Sequence, residues 1–147
     1  MKTLQIFDSS VLIPWFRSGA YDELVVSALQ SRRFLLCSVV WMELYAGTRD
    51  RTDKRELDRM EQILSRINRI ITPRAGDFYL AGQIISYYSR IYGAIKPRDH
   101  ICDVLIVLCA VNVGAELFTE NAEHLQIWQR ILMRSGQKLN LHLVSRS

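Results

Sequence analysis

Apolar and polar positions alternate in blocks along this 147-residue chain, and block length and period separate strands from helices. Thr3 to Phe7 reads as a buried strand, and Asp8-Ser9-Ser10 after it can cap a helix starting near Val11. Tyr21 to Arg32 is amphipathic, with Leu24, Val25, Ala28 and Leu29 on one face. Phe34 to Cys37 is a second short strand, and Ser38 can cap a helix that carries Glu43 to about Gly47. Asp50 to Asn68 is rich in charge but keeps Leu57, Met60, Ile63, Leu64 and Ile67 at helical spacing. Arg69 to Thr72 is a third strand closed by Pro73. Ala75 to Tyr92 is a long helix with Phe78, Ala81, Ile84, Ile85, Tyr88 and Ile91 in register. Pro97 precedes a helix from about Asp99 to Val113, ended by Gly114. Glu116 to Thr119 is a fourth strand, and Leu139 to Val144 alternates like an edge strand.

Strands separated by helical segments predict an α/β fold: a mostly parallel central sheet of four to five strands flanked by helices. No repeat, low-complexity tract or linker divides the chain, so one domain over residues 1–147 is expected. The length supports a real hydrophobic core. The longest apolar run, Val104 to Val111, falls far short of the roughly 18 residues that span a bilayer. Asp8 interrupts the N-terminus before a signal-peptide core can form, which predicts a cytoplasmic protein.

Four polar positions break the apolar blocks: Asp8, Glu43, Asp103 and Asn121. Each has a bland reading. Asp8 can be a helix cap, Glu43 half of a structural ion pair, Asp103 a charge favoured at the positive end of its helix, and Asn121 an Asx-turn. Taken together those readings leave Glu43 and Asp103 unexplained, because both sit inside apolar helical sequence. A carboxylate among buried side chains is paired or holds a metal. In an open parallel sheet, ligands bind outside the carboxyl ends of the strands. Asp8 follows the first strand and Asn121 lies two residues past the fourth, so all four residues can face one sheet edge.

Their order resembles the PIN-domain nucleases, and more narrowly the VapC-type toxins of bacterial and archaeal toxin–antitoxin pairs. Ile6-Phe7-Asp8-Ser9-Ser10-Val11-Leu12-Ile13 looks like that family's opening strand and first acid. Ser38 to Gly47, around Glu43, is similar to its second motif, and Asp103 to Ala110 to its third. Leu117-Phe118-Thr119-Glu120-Asn121-Ala122-Glu123-His124-Leu125 looks like the fourth. The resemblance covers about residues 3 to 125. It implies that Asp8, Glu43 and Asp103 are metal-binding acids, with Asn121 at the fourth position and Ser10 at the hydroxyl-bearing position near the first acid. Asp99, one turn before Asp103, is a secondary candidate. An amide at Asn121 lowers the charge of the site relative to relatives that carry Asp there.

Carboxylate oxygens without a His or Cys set favour Mg²⁺ or Mn²⁺ over Zn²⁺. Such an ion can acidify a water, set it in line with a phosphodiester and offset charge on the leaving oxygen, alone or as one of two ions about 3.5–4 Å apart. Ser9 and Ser10 lack a paired histidine base, and His100, His124 and His142 form no triad pattern, so water is the expected nucleophile. The histidines read as solvated or structural, with His124 toward the rim of the site. Cys37, Cys102 and Cys109, each flanked by aliphatic residues, read as buried free thiols.

A net charge of +4 is mildly favourable to a polyanionic partner and decides little. Lys96 and Arg98, which precede Asp103, are the preferred phosphate contacts. Arg49, Arg51, Lys54 and Arg55 read equally well as a solvated helix face paired with its acids. Trp15 and Trp41 read as core rather than base-stacking residues. The expected function is therefore a metal-dependent endoribonuclease, the toxin of a toxin–antitoxin pair. The resemblance adds a homodimer and a small antitoxin partner, with Trp15, Phe16, Tyr21 and the helix from Leu57 to Ile67 supplying apolar surface. A DNA-directed nuclease of the same fold and a non-catalytic RNA- or protein-binding module are the rivals. The tail from Gln126 to Ser147 is assigned only packing or partner contacts.

Overall fold

The computed structural model describes residues 2–146. Seven helices and five strands follow one another as β1 (Gln5–Phe7), α1 (Ser9–Ser18), α2 (Asp22–Gln30), β2 (Leu36–Cys37), α3 (Ser38–Ala46), α4 (Arg51–Arg66), β3 (Ile70–Ile71), α5 (Ala75–Tyr92), α6 (Ile101–Val113), β4 (Glu116–Thr119), α7 (Ala122–Arg134) and β5 (Asn140–Leu143). A 3₁₀ turn, Pro97–Asp99, precedes α6.

All strand pairs are parallel. β4 lies between β1 and β5 in one sheet, and β2 pairs with β3 in a second. A single parallel bridge, Gln5 to Phe34, joins them: the Gln5 N–H donates to the Arg33 carbonyl at 2.8 Å, and the Leu35 N–H donates back to Gln5 at 2.9 Å. The five expected strands thus exist, but as three plus two. The joint is also closed by side chains. Phe34, Phe7, Phe118 and His142 stack across neighbouring strands, with centroids 5.5, 4.9 and 4.8 Å apart and rings within 20° of parallel. Cross-strand aromatic pairs of this kind stabilise a sheet beyond their burial. One short salt-bridge contact, His142 Nε2 to Glu116 at 2.8 Å, ties β5 to the start of β4.

Helix ends follow local chemistry. Asp50 caps α4 by accepting from the Asp53 N–H at 2.9 Å, and Gly114 closes α6 in the left-handed conformation that glycine adopts without strain. Ser38 is the first residue of α3 rather than its cap; the cap is Cys37, without a side-chain bond. Pro97 starts the tight 3₁₀ turn, so α6 begins at Ile101 rather than near Asp99. The clearest departure from the sequence reading is α7. Leu125, Trp128 and Leu132, all at most 2% exposed, recur at helical spacing and pack that helix into the core. Among the described residues no helix is long and apolar enough to cross a membrane.

Candidate active site

The C-terminal ends of β1 and β4 meet in a knot of short hydrogen bonds around Asp8. Its N–H donates to the Phe118 carbonyl at 3.1 Å, which fixes the backbone where β1 ends. Its side chain caps α1: Oδ1 accepts from the Ser10 N–H at 3.1 Å and from the Ser10 hydroxyl at 2.5 Å. Oδ2 accepts from the Thr119 hydroxyl at 2.6 Å. Both hydroxyl protons are thereby spent, so the 3.3 Å approach of Ser10 Oγ to Thr119 Oγ1 is a contact between acceptors. Those oxygens accept in turn from the N–H groups of Glu120 and Asn121, each at 2.9 Å. A carboxylate offers about four lone-pair positions, and three are used here. Asp8 is 6% exposed, and burial raises its carboxyl pKa first; the bonds to Ser10 and Thr119 oppose that, and Asp103 adds to it.

Glu43 and Asp103 come from α3 and α6, which pack against each other, while α1 packs on α3. Their surroundings differ from those of Asp8. Glu43 Oε1 is buried without a hydrogen-bond partner among the described residues. Burial, then the charges of Asp103 and Asp8, push the Glu43 carboxyl up to about 7, with the Ser9 hydroxyl opposing. Burial also raises Asp103, moderated by the imidazoles of His124 and His100. Three acids, one following β1, one within α3 and one in the first turn of α6, therefore share one electrostatic neighbourhood. Their donors are hard oxygens, the type that suits Mg²⁺ or Mn²⁺, and an unpartnered buried oxygen on Glu43 is what such an ion would satisfy. Among the described residues no three His, Cys, Asp or Glu side chains already stand at metal-ligating spacing.

The remaining candidates lie further out. Asn121 is exposed at the start of α7; its backbone joins the Asp8 knot, but its side chain makes no cap bond. Asp99 is exposed in the 3₁₀ turn and is absent from the charges that shift the three acids. Lys96 and Arg98 are exposed on the same loop and make no salt bridge among the described residues. The other basic cluster is partly spent at home: Arg49 pairs with Asp53 at 3.1 Å and Lys54 with Asp58 at 2.8 Å. Trp15 donates to Asp22 at 3.0 Å, and Trp41 packs edge-on to Tyr45.

Two features escaped the sequence reading. Thr119 is fully buried and holds Asp8; a threonine ending a strand two residues before Asn121 was the available signal. The other is a tie among Tyr21, Glu120 and Arg146. The Tyr21 hydroxyl donates to Glu120, and Arg146 donates to both Glu120 oxygens at 2.8 and 3.1 Å. Nothing in sequence spacing announces that contact, because the three residues come from remote segments.

The PIN domain family model matches residues 6–127. No curated protein sequence matches. Among solved structures, VapBC2 from Rickettsia felis bound to a DNA fragment from their promoter is similar, with a TM-score of 0.66 at 18% identity over 97% of this chain and 100% of that one. DNA-bound VapBC from Salmonella typhimurium gives 0.62 at 20% identity, over 85% and 92% of the two chains. FitAcB from Neisseria gonorrhoeae gives 0.60 at 22% identity, over 85% and 93%. At these identities the likeness is one of fold. Family model, parallel β1-β4-β5 sheet and the acids of β1's end, α3 and α6 agree: the chain belongs to the PIN domain family, a family of nucleases.

Proposed function

We propose that this chain is a Mg²⁺- or Mn²⁺-dependent endoribonuclease acting as the toxin of a toxin–antitoxin pair. The observation that carries the reading is the shared neighbourhood of Asp8, Glu43 and Asp103, with a buried Glu43 oxygen left without a partner. Like charges at close quarters destabilise a buried site unless a cation offsets them. Asp8, Glu43 and Asp103 would hold the ion, with Asn121 at the outer corner and Asp99 in reserve. The ligating spacing would be reached as Glu43 and Asp103 turn toward it. A bound ion would acidify a water and stabilise charge on the leaving oxygen. The chain's own groups do the positioning. Ser10 and Thr119 orient Asp8, and the exposed Lys96 and Arg98 would meet phosphates that approach from the α6 side. Attack by water leaves 3′-hydroxyl and 5′-phosphate ends.

The partner reading rests on the VapBC and FitAcB complexes of the same fold. Ile63 of α4 and Ile67 just after it are exposed, beside a small cleft lined by Ile13, Phe16, Leu44 and Leu57 with Arg17 and Asp53, and would offer apolar surface to a small antitoxin. A homodimer, one PIN-like domain and a cytoplasmic location complete the proposal.

The test is sequencing of RNA ends after expression of wild type and Asp103→Asn, paired with cleavage of matched RNA and DNA with Mn²⁺ or EDTA. New 5′-phosphate RNA ends that require Mn²⁺ and vanish in Asp103→Asn are expected. Cleavage of DNA alone would transfer the site to the DNA-directed reading. Absence of both cleavage and Mn²⁺ binding by calorimetry would leave a non-catalytic module.

A further inference from the structure

Asp103 is moderated by two imidazoles, and those imidazoles are the inner rungs of a ladder of rings that runs outward to solvent. His124 and His100 have centroids 5.2 Å apart, His100 and Tyr88 are 6.5 Å apart at 29°, and Tyr88 and Tyr92 are 4.9 Å apart at 36°. Trp128 forms the floor, 5.2 Å from Tyr88 and 5.8 Å from His100, and is 1% exposed. The outermost rung is open: Tyr92 is 56% exposed, while Tyr88, His100 and His124 are half-buried. Lys96 and Arg98 are exposed on the loop that joins Tyr92 to His100, and neither makes a salt bridge among the described residues.

A core cluster would hide its last ring. An exposed ring backed by a row of others, with Lys and Arg on the adjoining loop, is what an unpaired nucleobase and its phosphates need, since every base has a face to stack and a duplex hides those faces. We infer that Tyr92, Tyr88, His100 and His124 form a base-stacking subsite beside the acids, so that the RNA is taken as a single strand. This deepens the endoribonuclease reading and rests on it. The ladder supplies no proton and no ligand; it orients the strand by holding a nucleotide that flanks the cleaved bond.

The experiment uses the full chain and measures two things: anisotropy of a labelled single-stranded RNA and of its perfect duplex in EDTA at several salt concentrations, and single-strand cleavage in Mn²⁺. Tyr92 is on the surface, so Tyr92→Ala tests the rung without disturbing the Trp128 floor. Expected is a loss of about 5- to 100-fold in single-strand affinity, the range for one stacked base, with duplex affinity and salt slope unchanged. Tyr92→Phe, which keeps the ring, should stay within about twofold on the same stacking argument. Lys96→Ala should instead weaken both RNAs and lower the salt slope by about one. If the wild type cleaves RNA while Tyr92→Ala matches it in affinity and KM, the subsite falls and the nuclease reading stands. If Tyr92→Ala weakens duplex and single strand equally, stacking is likewise overturned. A wild type that neither binds nor cleaves RNA removes both.

Discussion

Asp8 and Glu43 are both acids of the candidate site, yet one is well supplied with hydrogen bonds and the other is short of them. Asp8 accepts three bonds from Ser10 and Thr119, which offset part of the cost of burying its charge. Glu43 has a buried oxygen with no partner, and its carboxyl is pushed to about 7. The contrast separates two tasks that a metal-binding acid must combine. Asp8 is part of the framework that joins β1 to β4 and starts α1, whereas Glu43 is held in reserve at a cost to the fold. Substitution should therefore abolish activity at both positions but move stability in opposite directions.

The largest expected effect is on activity. Glu43→Gln should lower RNA cleavage by more than about 100-fold, beyond the range usual for residues that only support a ligand. The same substitution should stabilise the metal-free protein at pH 8 by about 1–3 kcal/mol, because a buried charge beside Asp103 and Asp8 disappears. Thermal or urea unfolding in EDTA reads that gain, and a loss of stability would erase the contrast. Asp8→Ala should also abolish cleavage, but with destabilisation of about 1–3 kcal/mol from a lost cap and stranded hydroxyls.

Intermediate in size is the pH dependence of the metal-free fold. Between pH 4.5 and about 7 the unfolded chain ionises Glu43 while the folded chain keeps it protonated, so the folded state binds more protons. Stability should fall as pH rises through that window and level off above it, with Asp8 and Asp103 adding in the same direction. Urea unfolding in EDTA at pH 5 and pH 8 measures the slope, and Glu43→Gln should flatten it. A metal that needs ionised Glu43 should reverse the trend, binding more tightly as pH rises.

Thr119→Val sharpens the comparison on a smaller scale. It removes one bond from Asp8 and none from Glu43, so cleavage should drop about 10- to 100-fold as the acid loses orientation. Smallest of all, Arg49→Ala breaks a solvent-screened pair with Asp53 and should leave the urea unfolding midpoint essentially unchanged. A large loss of cleavage there would move the substrate path to the α4 side.

Much of this arrangement is readable in the chain before it folds. α5 from Ala75 to Tyr92 and β4 from Glu116 to Thr119 coincide with the predicted segments, because apolar period and closing residues agree there. The acids stand out because each interrupts apolar sequence, and motif order groups them. Other features depend on distance in three dimensions. The division into two sheets follows from a single bridge at Phe34, which no local pattern encodes. α7 carried its signal in Leu125, Trp128 and Leu132, but polar residues between them and the Asn121 turn masked it. The roles of Thr119 and of the Tyr21–Glu120–Arg146 tie depend on partners far along the chain, and spacing alone cannot show such pairs.

The placement of β4 between β1 and β5 sets a schedule for a chain emerging from the ribosome. Asp8 must wait for Thr119, 111 residues later, before its second oxygen finds a donor. At ordinary elongation rates of about 5–20 residues per second, that is a delay of roughly 5–20 s. Through that interval β1 lacks the neighbour that completes it, and until α6 is made Asp8 and the acid brought by α3 cannot meet the one it carries. A nascent nuclease built this way stays harmless until nearly all of the described chain has been made.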